Sequence, residues 1–406
     1  VRVLFTTWAS PSHLFPMVPL AWAFQAAGHE VRVAVPPNCT AHVSGAGLTP
    51  VAVGPAPEVA PAVGSGRIKV WHAQKPWPAD WPLHLDQLDE DRIALLDMLT
   101  DRQCAVAEKM VPDLLAYARH FKPDLIVRDA GTYAGAVVAE VLGIPLASHQ
   151  WGSPAVLDCE HTSPGGPARP GYRALFERFG AEPDAGTGVF VDPCPPSLRL
   201  PTPATRLNTR IVSYNGPGEL PDWLREEPTA PRVCITWGVT AGKFDPKSAL
   251  PAPLQQAAHS LAAAGLEVVL AVTAAQRELI GEQPAGIRAV SMLPLNLLLP
   301  SCSAIVHQGG GGTATTATGA GVPQLVLSPR PEQMLTGDRL ARAGAARHIP
   351  FNELADDEAA GQRVHKDVLG LVEDPAHRAA ALRLREESLA QPSPAEVVEQ
   401  LVDLTR

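Results

Sequence analysis

Residues 303–333 of this 406-residue chain read SAIVHQGGGGTATTATGAGVPQLVLSPRPEQ, and they limit the fold more than any other stretch. Ala304, Ile305 and Val306 form an apolar run suited to a buried strand. The chain then turns through His307 and Gln308 into four consecutive glycines, Gly309, Gly310, Gly311 and Gly312. From Thr313 a small-residue segment reads as a helix ending at Gly319 or Gly321, and residues 322–327 read as the next strand. Glycines let backbone N–H groups approach an anion, and a helix start adds partial positive charge. His307, at the strand's end, can donate one more hydrogen bond to the same anion.

Four adjacent glycines lose more chain entropy on folding than other residues would, so a purely structural turn is the poorer explanation. A dinucleotide fingerprint of the GxGxxG type does not fit, because its third glycine would fall on Ala314 or Thr315. Nor does a Lys-Ser/Thr pair follow to complete a P-loop. The pattern is that of a diphosphate cradle of another kind.

The chain is long enough for two domains of about 200 residues each. Its 46% hydrophobic and 18% charged content suits globular cores. A net charge of -9 argues against nucleic acid and anionic membrane surfaces as partners. Cys39, Cys104, Cys159, Cys194, Cys234 and Cys302 are scattered without a CxxC pair, which favours reduced thiols in a cytoplasmic protein. No apolar run approaches the ~20 residues of a membrane span, and no signal-peptide pattern precedes the first strand.

Residues 1–6 read as a buried strand, residues 16–27 as an apolar-faced helix stopped by Gly28, and residues 29–36 as a second strand. This opening predicts a parallel sheet with helices on its faces, where ligands sit at the carboxyl ends of the strands. His13 falls there, beside a helix start. Asp129 ends a strand over residues 123–128, before a helix over residues 133–142, and a further strand over 144–147 leads into His149 and Trp151. Asp129 can cap that helix or orient and charge His13. Residues 55–81 read as a long irregular loop whose Trp71, Trp77 and Trp81 either line a flat apolar pocket or pack the loop down. Asp89-Glu90-Asp91 spells a DxD but lies in a charged stretch that reads as a solvated helix face, so no metal site is expected. Residues 216–231 read as a linker, after which the strand and helix pattern restarts at Arg232.

His307 to Thr313, followed by Gly321-Val322-Pro323-Gln324, resembles the donor signature of two-domain nucleotide-sugar glycosyltransferases. The nearest branch is the one that decorates polyketides in antibiotic-producing bacteria. The stretch around Ser12-His13-Leu14-Phe15-Pro16 is similar to the family's N-terminal pattern, with Ser12 where Gly is common. The resemblance implies a GT-B fold: two Rossmann-like α/β domains facing each other across a cleft. Residues 1–215 would bind the acceptor and residues 232–385 the donor, with residues 386–406 packing back on the first domain. It further implies His13 as general base with Asp129 as its partner. Trp237 and Gly238 would lie near the diphosphate, Leu293 would read the pyrimidine base, and Glu332-Gln333 would bond the sugar where Asp-Gln is usual. Phe15, Trp71, Trp77, His149 and Trp151 are expected on the acceptor side.

The expected reaction is inverting, metal-independent transfer of a deoxysugar from a dTDP-sugar to a polyketide-type aglycone. It uses no cofactor beyond the donor itself. Expected partners are that dTDP-deoxysugar and the apolar aglycone, with a cytochrome-like activator protein and a homodimer left open. A nucleotide-sugar-binding auxiliary or an epimerase of the same architecture is the alternative. The first would need no His13–Asp129 pair, and the second no apolar loop such as residues 55–81.

Overall fold

The first sheet follows from short strands that are apolar on both faces. In the computed structural model Val3 and Phe5 of β1 (Arg2–Thr6) enter one core while Leu4 enters the other. This is the period-two burial of a sheet covered on both sides. Residues 1–8, 10–56, 75–151, 160–163, 165–184, 188–238, 250–354 and 358–406 are described. They form two compact units, one of Val1–Ala60, Asp80–Gly216 and Ser388–Arg406, the other of Pro61–Ala79 and Pro217–Glu387.

In the first unit β1 is joined by β2 (Glu30–Val35), β3 (Pro50–Ala52), β4 (Leu125–Asp129), β5 (Leu146–His149), β6 (Val189–Asp192) and β7 (Thr205–Asn208). All pair in parallel, in the order β3-β2-β1-β4-β5-β6-β7. The order reverses between β1 and β4, and the carboxyl ends of strands at such a switch point are where ligand sites form in open α/β sheets. His13 follows β1, in a short helix, Pro11–Leu14. Asp129 ends β4. The helix Pro394–Asp403 belongs to this unit: Val397, Val398 and Leu401 join the core of Val3, Phe5 and Phe24. The charged stretch from Asp86 lies largely in a helix, Glu90–Phe121. Asp89 caps it, accepting from the Arg92 N–H at 2.9 Å, which is the structural reading of the DxD.

The second unit repeats the plan with β8 (Arg232–Ile235), β9 (Glu267–Val272), β10 (Ile287–Ser291), β11 (Ala304–His307), β12 (Gln324–Ser328) and β13 (Ala346–Pro350). These are also parallel, in the order β10-β9-β8-β11-β12-β13, so the reversal falls between β8 and β11. Trp237 and Gly238 follow β8, and the glycine run follows β11. The glycine turn opens a helix, Gly311–Ala320, that closes on Gly321 in the left-handed region at φ 67°. Among the described residues no helix is long and apolar enough to cross a membrane.

Candidate active site

On the first unit, β1 and β4 bring together two residues 116 positions apart. The His13 Nδ1–H donates to Asp129 Oδ1 at 3.0 Å. Asp129 is fully buried, and its second oxygen accepts from the Thr132 hydroxyl at 2.6 Å. The carboxylate is therefore held by donors on both oxygens and fixes the imidazole as the Nδ1–H tautomer, leaving Nε2 as the basic nitrogen. The helix Tyr133–Leu142 has Thr132 at its N-cap, with no side-chain cap, so Asp129 serves His13 rather than that helix.

Aromatic rings flank the imidazole. Trp8 meets it edge-on at 5.2 Å between centroids and Trp151 lies tilted at 4.6 Å. Gly131 keeps the space open, since a Cβ there would stand 3.2 Å from Gln103 Nε2 and 3.4 Å from the Trp151 ring. Trp8, Gln103 and Gly131 were not singled out in the sequence. Trp8 closes the segment that leads to His13, but nothing local marks Gln103, which arrives from the long helix.

The other residues expected on the acceptor side separate. Phe15 packs edge-on against Tyr214 at 5.1 Å and against His42 at 6.2 Å, as part of the core edge. Trp77 and Trp81 are 6% and 3% exposed, so the packing reading describes them better than a free aromatic pocket. Trp71 lies outside the described residues. His149, beside Asp129 in the β4–β5 register, is buried, and that burial pushes its imidazole down to about 4. It stays neutral and buried, with its Nδ1 lacking a hydrogen-bond partner.

On the second unit, the glycine run has two parts with different work. Gly309 adopts φ 87°, and a Cβ there would meet Val326 and Gln333 at 2.9 and 3.0 Å, so only glycine fits. The expectation that His307 and the Gly309 amide bind an anion is corrected. His307 is fully buried; its Nδ1 accepts from the Gly309 N–H at 3.0 Å, and its Nε2–H donates to Gln324 Oε1 at 2.9 Å. Burial, opposed by the Gln324 bond, pushes the ring down to about 4. A neutral ring with both nitrogens used inside the protein has nothing left to offer a ligand, and it consumes the Gly309 amide to hold the turn.

The remaining amides are differently placed. Gly310 is the N-cap and supplies no side chain, so the N–H groups of Gly311, Gly312 and Thr313 start the helix without intrahelical partners. A Cβ on Gly312 would meet nothing within 4 Å. These amides and the helix dipole could receive an anion. Gln308 lies across it: a Cβ on Gly238 or Gly310 would strike its Nε2 at 2.3 or 2.8 Å, and its Oε1 is buried without a partner. Trp237 tilts against Phe351 at 4.9 Å and packs against the core below β8. Leu293 follows Met292, which is 73% exposed with φ 60°, an uncommon conformation for a residue with a side chain.

Glu332 and Gln333 occupy the first turn of the helix Pro331–Arg342. Desolvation raises the Glu332 carboxyl above its ordinary range, opposed by Arg330, whose guanidinium is 3.8 Å away. Glu332 Oε2 and Gln333 Oε1 are both buried acceptors without partners, as a surface made to receive hydroxyl or amine donors would leave them.

Known proteins match the chain along its whole length. The chain is 37% identical to the aklavinone 7-beta-L-rhodosaminyltransferase of Streptomyces galilaeus, spanning 100% of this chain and 96% of the relative. It is 35% identical to the 10-deoxymethynolide desosaminyltransferase of Streptomyces venezuelae, spanning 99% and 96%. Among solved structures, the spinosyn rhamnosyltransferase SpnG superposes with a TM-score of 0.80 at 29% identity, covering 99% of this chain and 100% of that one. The glycosyltransferase VinC, solved in complex with dTDP, gives 0.79 at 32% identity over 100% and 99%. Residues 22–238 match the N-terminal domain of the erythromycin biosynthesis protein CIII-like family and residues 255–404 its C-terminal domain. With both domains matched and the GT-B fold shared, the chain belongs to the erythromycin biosynthesis protein CIII-like family and is a glycosyltransferase.

Proposed function

We propose that this enzyme transfers a deoxysugar from a dTDP-sugar to a hydroxyl of a polyketide-type aglycone, with inversion at the anomeric carbon and without a metal ion. Residues 1–215 serve as the acceptor-binding domain and residues 232–385 as the donor-binding domain. The observation that carries the proposal is the His13–Asp129 pair. A hydroxyl is a weak nucleophile and must lose its proton during attack. His13 Nε2 takes that proton, and buried Asp129 stabilises the imidazolium that results. The departing diphosphate gathers negative charge, which the amides of Gly311, Gly312 and Thr313 meet without reorganisation. The choice of dTDP is supported by VinC and SpnG, both solved with thymidine diphosphate bound. The choice of sugar and acceptor class is supported by the names of the relatives. Glu332 and Gln333 take the sugar, and Leu293 the base. An auxiliary role would need no His13–Asp129 pair, and the relatives are named as transferases rather than epimerases.

The test is calorimetric titration of the protein with dTDP, UDP and NAD, with and without EDTA. Tight dTDP binding that EDTA leaves unchanged, with weaker UDP and silent NAD, is the expected result. UDP preferred over dTDP would overturn the deoxysugar donor, and a loss of donor binding in EDTA would overturn metal independence.

A further inference from the structure

A second histidine network lies outside the groups that the proposed reaction uses. His348 on β13 donates from Nδ1–H to Asp338 Oδ1 at 2.7 Å, and its Nε2 accepts from the Ser328 hydroxyl at 2.6 Å. The order Ser–His–Asp is that of a hydrolytic triad, but Ser328 is fully buried and offers no nucleophile to a substrate. The network must be explained by what it holds in place.

Its three members come from three elements. Ser328 is the last residue of β12, His348 lies in the middle of β13, and Asp338 sits on the helix Pro331–Arg342. Between Ser328 and Asp338 the chain makes the turn that delivers Glu332 and Gln333. Two glycines let that helix come down close. A Cβ on Gly337 would stand 2.4 Å from His348 Cδ2, and one on Gly309 would stand 3.0 Å from Gln333 Cβ. Gln333 and Gly337 are four residues apart, hence on one face of the helix. The same face therefore touches the glycine turn at one point and the His348 ring one turn later.

We infer that Ser328, His348 and Asp338 are positioning residues for donor-sugar recognition. Ser328 lies just before the helix Pro331–Arg342 and Asp338 in its second turn, so the network holds that helix and keeps the unpartnered oxygens of Glu332 and Gln333 at a fixed distance from the proposed phosphate-binding amides. A sugar nucleotide bridges those two places and needs their spacing fixed, whereas the nucleotide alone needs only the amides. Loss of the clamp lets Glu332 and Gln333 drift while the start of the helix Gly311–Ala320 stays, because that turn is held separately by His307, Gln324 and Thr318. Tight positioning of this kind is worth large factors even for residues that never touch the reacting atoms. The inference rests on the donor site proposed above.

The experiment compares dTDP with dTDP-glucose as calorimetric probes in wild type, Ser328→Ala, Asp338→Asn and His348→Phe, with kcat and donor KM measured on any aglycone that wild type glycosylates. Ser328→Ala removes one bond, Asp338→Asn removes the charge that strengthens the other, and both keep the fold testable if His348→Phe does not fold. The expected result is a rise of about tenfold in the ratio of dTDP-glucose Kd to dTDP Kd, with dTDP Kd within about twofold of wild type. Donor KM should rise more than kcat falls, and Asp338→Glu should recover part of the loss. Affinities that move together for both probes, or that do not move at all, overturn the inference. Failure of wild type to bind dTDP would instead remove the donor site, and the inference with it.

Discussion

As the proposed general base His13 carries most of the chemical burden, and its dependence on Asp129 can be stated in numbers. A positioned general base contributes about 10²–10⁴-fold, so His13→Ala should lower kcat by that factor with little change in dTDP affinity. Asp129→Asn keeps the shape but presents an amide that can donate to Nδ1 and stabilise the wrong tautomer, so it should lose about 10²-fold or more in kcat. A near wild-type rate in either variant, read by product formation under donor saturation, would remove the base assignment. His307 makes a different prediction. Its ring protonates near 4 when folded and near 6.5 when unfolded. Above pH 6.5 both states hold it neutral. As pH falls from 6.5 towards 4, the unfolded chain takes up a proton that the folded ring refuses, so stability falls across that window. Between pH 7 and pH 5 this ring should cost about 2 kcal/mol. Urea midpoints at the two pH values should show His307→Gln losing less stability on acidification than wild type. An equal loss in both proteins would place the acid sensitivity elsewhere.

Elements are where the sequence reading succeeded and failed most instructively. The glycine run, the strand before it and the helix after it were legible because each has a local signature: an apolar run, a block of glycines, a left-handed glycine at the end. The direction in which His307 faces was not. Its partner Gln324 is 17 residues away on the neighbouring strand, and the strand runs one residue further than the apolar run suggests, which places the imidazole inside. Two of the four edge strands, β7 and β13, were missed for a related reason. β7 and β13 read TRLN and ARHIP, and at the sheet edges polar residues replace the alternation that marks a buried strand. The helix that carries Glu332 and Gln333 was likewise unread, although those two residues were identified. The division of labour among the glycines predicts opposite mutant behaviour. Gly309→Ala forces a positive φ and a collision, and should cost about 1–3 kcal/mol of stability. Gly312→Ala meets nothing and lies in a helix, so it should hold or raise stability by about 0.5–1 kcal/mol. Its new methyl group stands in the open space beside the amides, and it should weaken dTDP binding. Thermal melts paired with dTDP titration separate the two, and a Gly312→Ala protein with unchanged dTDP affinity would move the phosphate away from that turn.

At the scale of the whole molecule, two units with separate cores give two separately addressable stabilities. The first depends on the end of the chain. Leu401, Val397 and Val398 are buried in the core that holds β1 and the helix Val18–Ala26. Truncating a fully buried leucine to alanine removes its burial and leaves a cavity, at about 2–5 kcal/mol. Leu401→Ala should therefore destabilise the unit that carries His13, even though residue 401 is nearly 400 positions from it in sequence. The second unit, as the proposed donor domain, should respond to ligand instead. Nucleotide at 100 times its Kd stabilises whatever binds it by about 2.7 kcal/mol. Multidomain proteins need not unfold in one step, so calorimetry can read the two effects apart. The expected scan shows two transitions, one lowered by Leu401→Ala and unmoved by dTDP, the other raised by dTDP and unmoved by the substitution. A single transition that answers to both would mean that the units unfold as one. In that case the helix Pro394–Asp403 would be stabilising the proposed donor half as much as the half it packs against, and the proposed base could not be lost thermally without the proposed diphosphate site.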